Sequence, residues 1–137
     1  MERRRIDPDK HEFPGFVRPL LDGTPVYDSS CSPMARVWFL DRDEGYYLKR
    51  ATKGTLRREA ELTRFFHGKG LSAKVCAYES LEWDWLLTTR VPGEDCIDGL
   101  YLADPVRLCD TTAQLLRMLH DTDPAGCPVH RTADYLE

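Results

Sequence analysis

A chain of 137 residues with 42% hydrophobic and 31% charged side chains can bury one core beneath a solvated surface. It is expected to form one domain, or one lobe and the start of another. A net charge of -4 and a pI near 5.6 leave no basic footprint for nucleic acid. No apolar run reaches the roughly 18 residues of a membrane span, and the Met1-Glu2-Arg3-Arg4-Arg5 start lacks the apolar stretch of a signal peptide. Neither nucleic acid nor membrane is an expected partner, and the expected setting is cytoplasmic. Cys31, Cys76, Cys96, Cys109 and Cys127 are odd in number and never closely spaced. That spacing excludes a simple CxxC zinc or redox motif and leaves them as mostly small core residues.

Residues 1–10 are polar and charged and are expected to fray. Residues 13–21 place Phe16, Val17, Leu20 and Leu21 between Pro14 and Pro19, a packed segment of undetermined type. A first strand is expected at 24–27, a serine-rich turn at 28–33 and a returning strand at 36–40. The turn 41–45 leads into a third strand opening on Tyr46-Tyr47-Leu48-Lys49-Arg50, so the three form an antiparallel meander. Leu56, Glu59, Ala60, Leu62, Thr63 and Phe66 follow at helical steps, with Gly68 and Gly70 as the stop. Strands are expected again at 75–81 and 83–89. Val91-Pro92-Gly93-Glu94-Asp95 breaks the pattern as a linker. Asp104-Pro105 opens a helix with a broad apolar stripe, ending near His120. Residues 127–137 read as a tail with a helix start at Asp134.

Alternation along the third strand puts Tyr47 and Lys49 on one face and Tyr46 and Leu48 on the other. Glu59 shares a helix flank with Leu62 and Phe66, so it is expected to point inward. A strand lysine and an inward glutamate on the next helix make the ion pair that a kinase-type nucleotide site requires. The plainer alternative is a strand, a turn and a charged surface helix. Ser29, Ser30 and Ser32 could aim hydroxyls and backbone N–H groups at phosphate oxygens. No glycine lies between Gly23 and Gly45, so this is not a glycine-rich loop, and an ordinary hairpin turn explains it as well.

Taken together, the segments resemble the start of an aminoglycoside phosphotransferase, most like the 3′-phosphotransferases of protein-kinase-like fold. The resemblance rests on Cys31-Ser32-Pro33-Met34-Ala35-Arg36-Val37-Trp38, Tyr47-Leu48-Lys49, Glu59 with Phe65-Phe66, Gly70-Leu71 and Trp85-Leu86-Leu87. It continues through Val91-Pro92-Gly93-Glu94-Asp95 and Leu116-Arg117-Met118-Leu119-His120-Asp121-Thr122-Asp123-Pro124 to Cys127-Pro128. The implied fold is α+β: a protein-kinase-like N-lobe, with a five-stranded antiparallel sheet and one main helix, followed by a hinge and the first C-lobe helix. The implied divisions are an arm at 1–23, a nucleotide-binding lobe at 24–90, a hinge at 91–97 and the start of a truncated C-lobe at 98–137.

The resemblance implies ATP as the nucleotide and an aminoglycoside as the acceptor in the complete enzyme. Lys49 would contact the α- and β-phosphates and pair with Glu59, Ser32 would sit in the loop over the phosphates, and Tyr47 would stack on adenine. Thr89 and Val91 would offer hinge backbone groups to the adenine edge. The serine turn is one residue longer than in some relatives, so Ser30 competes with Ser32. The family's catalytic aspartate and magnesium ligands belong to the larger C-lobe and have no match here, so no residue is assigned a catalytic or metal role. The alternative function is a non-catalytic, truncated kinase-like module that binds nucleotide weakly or associates with another chain. In relatives the 104–120 helix packs against C-lobe elements without a match here, and its uncovered apolar stripe would favour self-association.

Overall fold

The computed structural model describes residues 4–93 and 99–128. Its centre is a six-stranded antiparallel sheet in the order β1-β2-β3-β4-β6-β5. The strands are β1 (Arg4–Ile6), β2 (Val26–Asp28), β3 (Ala35–Leu40), β4 (Tyr46–Thr52), β5 (Val75–Ser80) and β6 (Trp83–Thr89). The α+β class and the antiparallel meander hold, with one strand more than the five expected. The extra strand is β1, inside the segment expected to fray: Arg4, Arg5 and Ile6 pair with Asp28, Tyr27 and Val26. A polar composition does not prevent pairing, because an edge strand keeps its side chains in water while its backbone joins the ladder.

Residues 13–21 resolve into a short helix, α1 (Arg18–Leu21), after a 3₁₀ turn at Lys10–Glu12. This segment is the second layer of the main core. Phe13, Val17 and Leu21 are buried with Val26, Trp38, Leu40, Leu48, Trp85 and Leu87. These are the even-numbered side chains of β3 and β4 and the odd-numbered ones of β6, as the alternation requires. The opposite face packs against α2 (Arg57–His67) through Ala51, Leu56, Ala60 and Leu86. Helix α2 stops where two glycines were expected to stop it. Gly70 takes φ +74°, and the N–H groups of Gly70 and Leu71 close back onto the carbonyls of His67 and Phe66. Only glycine enters that left-handed conformation without strain, which is why the stop is legible in the sequence.

Beyond β6, residues 94–97 of the expected hinge lie outside the described residues, as does the helix start expected at Asp134. A short helix, α3 (Gly99–Leu102), precedes α4 (Pro105–His120), which is capped by the Asp104 carboxylate accepting from the Arg107 N–H at 3.0 Å. Val106, Leu115, Leu116, Met118 and Leu119 of α4 are exposed, and no α4 side chain is buried. No described helix is long and apolar enough to cross a membrane. The cysteines depart from expectation: Cys31, Cys76 and Cys109 are exposed, Cys127 is half-buried, and Cys96 lies outside the described residues. Cys76 sits at an irregularity in the register of edge strand β5.

Candidate functional site

Strand β4 lies between β3 and β6, and its register with both neighbours fixes the site. Tyr47 faces Phe39 and Thr88, Lys49 faces Val37 and Leu86, and Ala51 faces Ala35 and Asp84. These nine side chains share the face that carries α2. Along β4 the spacing of Tyr47 and Lys49 is two residues, about 7 Å. Thr89 and the chain leaving β6 lie at the Tyr47 end; the serine turn and the start of α2 lie at the Ala51 end.

The expected ion pair is present: Lys49 Nζ donates to Glu59 Oε2 at 2.6 Å. Glu59 reaches across to the sheet, yet its side chain stays more open to solvent than an inward position implies. The lysine and glutamate side chains are 30% and 43% exposed, so the pair is open to solvent rather than enclosed between sheet and helix. Ala60, one residue on, is the side chain that α2 buries. A pair this open contributes at most about 1 kcal/mol to stability. Its chemical value is orientation: one ammonium hydrogen is committed to Glu59, and an ammonium has three to give.

Around the pair the other expected residues occupy separate positions. The Tyr47 ring packs on Phe39 with centroids 5.2 Å apart, and Phe39 in turn lies 6.2 Å from Tyr27. Gly45 has to be glycine here, since at φ +96° any Cβ would fall 2.7 Å from the Phe39 ring. Its carbonyl accepts the Arg90 N–H at 2.9 Å, tying the β3–β4 turn to the exit from β6. The Thr89 N–H is engaged by the Lys74 carbonyl at 2.9 Å, while Val91 is 59% exposed. In the serine turn the two candidates differ. The Ser30 hydroxyl both accepts from the Val37 N–H at 3.0 Å and donates to its carbonyl, which staples the turn to β3. Ser32 lies nearer the tip, and its oxygen accepts the Met34 N–H at 3.1 Å.

One group was missed by sequence reasoning. Asp84 of β6 is fully buried, with its side chain on the same face as Lys49. Its Oδ2 accepts from the Leu56 N–H at 2.9 Å and the Tyr78 hydroxyl at 3.2 Å, and its Oδ1 from the Ser80 hydroxyl at 2.6 Å. A signal was available, since an aspartate between Trp83 and Trp85 in an apolar strand has to find buried donors. Burial pushes its pKa up, but the Ser80 hydroxyl, the Gly54 and Leu56 N–H groups and the Tyr78 hydroxyl outweigh that and hold it below the usual carboxylate range. A depressed folded-state pKa stabilises the fold above the unfolded value, near 3.9 for aspartate, and that contribution is lost as pH falls through the folded value. Urea unfolding of the wild type is therefore expected to weaken below about pH 4, with a smaller acid dependence in Asp84→Asn. Equal acid dependence in the two proteins would contradict the assignment.

With this geometry in hand, comparison with known sequences decides the family. A model described as "Phosphotransferase enzyme family" matches residues 34–136. The chain belongs to that family. It is also 41% identical over 130 residues to a "Probable aminoglycoside 3'-phosphotransferase" of Lactococcus lactis subsp. lactis (strain IL1403), an alignment covering 94% of this chain and 49% of the relative. The phosphotransferase chain thus spans about half the length of the curated relative it matches. The matched residues include Lys49, Glu59 and Asp84, whereas Ser32 falls just before the family match.

Proposed function

We propose that this phosphotransferase chain is the ATP-binding part of an aminoglycoside O-phosphotransferase, which in its complete form moves the γ-phosphate of ATP to an aminoglycoside hydroxyl. The observation that carries this reading is the 2.6 Å Lys49–Glu59 pair, set between an aromatic end and a serine-turn end of one sheet face. Adenine lies over Tyr47, where the chain leaves β6 through Thr89 and Val91 and can present hinge backbone groups. The α- and β-phosphates reach the Lys49 ammonium, which Glu59 holds in place. The Ser32 hydroxyl, whose oxygen already accepts from Met34, keeps its hydrogen for a phosphate oxygen. The two-residue step from Tyr47 to Lys49 suits the distance from a base to its first phosphates.

The donor set fits a nucleotide triphosphate, which needs a cation and oriented donors. Magnesium would neutralise phosphate charge when bound. Among the described residues no group of three or more His, Cys, Asp or Glu side chains could hold a metal ion. The work assigned to this chain's own residues is therefore binding and orienting the nucleotide.

Titration of the chain with a non-hydrolysable ATP analogue tests the reading. A hydrogen bond from a charged group contributes about 1.5–3 kcal/mol, so Lys49→Ala is expected to weaken binding roughly ten- to a hundredfold. Equal affinity in wild type and Lys49→Ala would remove Lys49 from the site and the reading with it.

A further inference from the structure

Helix α2 begins without a cap of its own. Its N-cap residue is Leu56, whose side chain offers no oxygen to the free N–H groups of the first turn. The missing acceptor comes from another element, since the buried Asp84 carboxylate on β6 takes the Leu56 N–H at 2.9 Å and also holds Gly54. Asp84 is itself fixed from a third element by Ser80 and Tyr78 of β5. Its backbone partner in the ladder is Ala51 of β4, two residues from Lys49 on the same face. Glu59 stands three residues beyond Leu56, in the first turn of the helix. One carboxylate thus ties the strand pair that carries Lys49 to the turn that carries Glu59.

We propose that Asp84 is the positioning residue of the nucleotide site: it clamps the first turn of α2 to the β4–β6 pair and so sets Glu59 where it meets Lys49. The proposal deepens the nucleotide reading above and rests on it for its functional consequence. Packing alone is a poor substitute for the clamp. The buried side chains of this end of α2 are Leu56 and Ala60, and apolar contact is non-directional, so it leaves the helix free to slide or turn by an ångström. A charged acceptor on a backbone N–H fixes both distance and direction. An open ion pair without such a frame would spend its orientation in side-chain motion.

The experiment compares the wild-type chain with Asp84→Asn, Glu59→Gln, the double variant and Ser80→Ala. Ser80→Ala removes one of the donors on Asp84 while leaving the helix contact intact, and keeps the test available if Asp84→Asn does not fold. In the ligand-free chain, the Lys49 side-chain ammonium resonance in Asp84→Asn is expected to move toward its position in Glu59→Gln, with a smaller move in Ser80→Ala. Hydrogen exchange at the Leu56 amide is expected to quicken in Asp84→Asn. For the ATP analogue, Asp84→Asn and Glu59→Gln are each expected to lose about three- to tenfold in affinity, and the double variant no more than Glu59→Gln alone. An unmoved Lys49 resonance in both Asp84→Asn and Ser80→Ala overturns the proposal, as do losses that multiply in the double variant. If the resonance moves as expected while Lys49→Ala binds the analogue as well as wild type, the clamp stands and the nucleotide reading fails.

Discussion

Residues 1–137, given ATP, magnesium and a panel of aminoglycosides, are expected to show no measurable phosphoryl transfer. The same residues joined to the part of the Lactococcus lactis relative that they do not match are expected to turn over, and Lys49→Ala in that fusion to lose most of the rate. Transfer requires the acceptor hydroxyl to be held in line with the γ-phosphate, beside a carboxylate that accepts its proton. Here Glu59 is committed to Lys49, and the described residues offer no cluster of metal-ligating side chains. Positioning of two reactants is worth about 7–11 kcal/mol of barrier, which a strand lysine cannot recover. The relative is matched over only 49% of its length, so the fusion restores the part of it that this chain does not span. Turnover by residues 1–137 alone, abolished by Lys49→Ala, would overturn this division of labour. A fusion that folds, binds the analogue and still does not turn over would count against it as well.

The second large effect concerns the sheet that carries the site. Trp38→Ala is expected to destabilise the chain by about 3–5 kcal/mol, the usual cost of deleting a buried tryptophan. Trp38 is 4% exposed and lies edge-on to Phe13 at 5.1 Å and stacked on Trp85 at 5.9 Å. The Arg50 guanidinium adds a further layer, within 5.1–5.6 Å of the rings of Trp38, Trp83 and Trp85. Removing one indole therefore opens a cavity that rigid neighbours on three sides cannot close. Against a total stability of about 5–15 kcal/mol, that loss leaves little margin. Equilibrium urea unfolding measures it, and a loss under about 1 kcal/mol would mean that the stack is not part of the cooperative core. Because Trp38 pairs directly with Leu48, the neighbour of Lys49, nucleotide affinity should be compared only between folded samples.

How much of this was legible in advance follows from which forces act locally. Alternation in 46–50 separates Tyr47 and Lys49 from Tyr46 and Leu48, and the structure keeps that division because the side-chain period of a strand is fixed by its backbone. The α2 stop at Gly70 and the Asp104 cap of α4 were equally readable, since each depends on one residue's backbone freedom or side-chain oxygen. The sequence by itself thus determined the order of five strands and the two longer helices, the face that carries the lysine and the family. It did not determine the fate of residues 4–6, because pairing at an edge is decided by the backbone of β2 rather than by the arm's own polarity. Nor did it reveal the depth of Glu59: helical periodicity gives a direction around an axis but not the height of that axis above a sheet. Only the tertiary structure decided that the Lys49–Glu59 pair stays open to solvent, and that Asp84, 28 residues along the chain from Leu56, accepts the N–H at the start of the helix. A contact between residues so far apart in sequence leaves no periodic trace, so a buried carboxylate shows its partners only once the chain is folded.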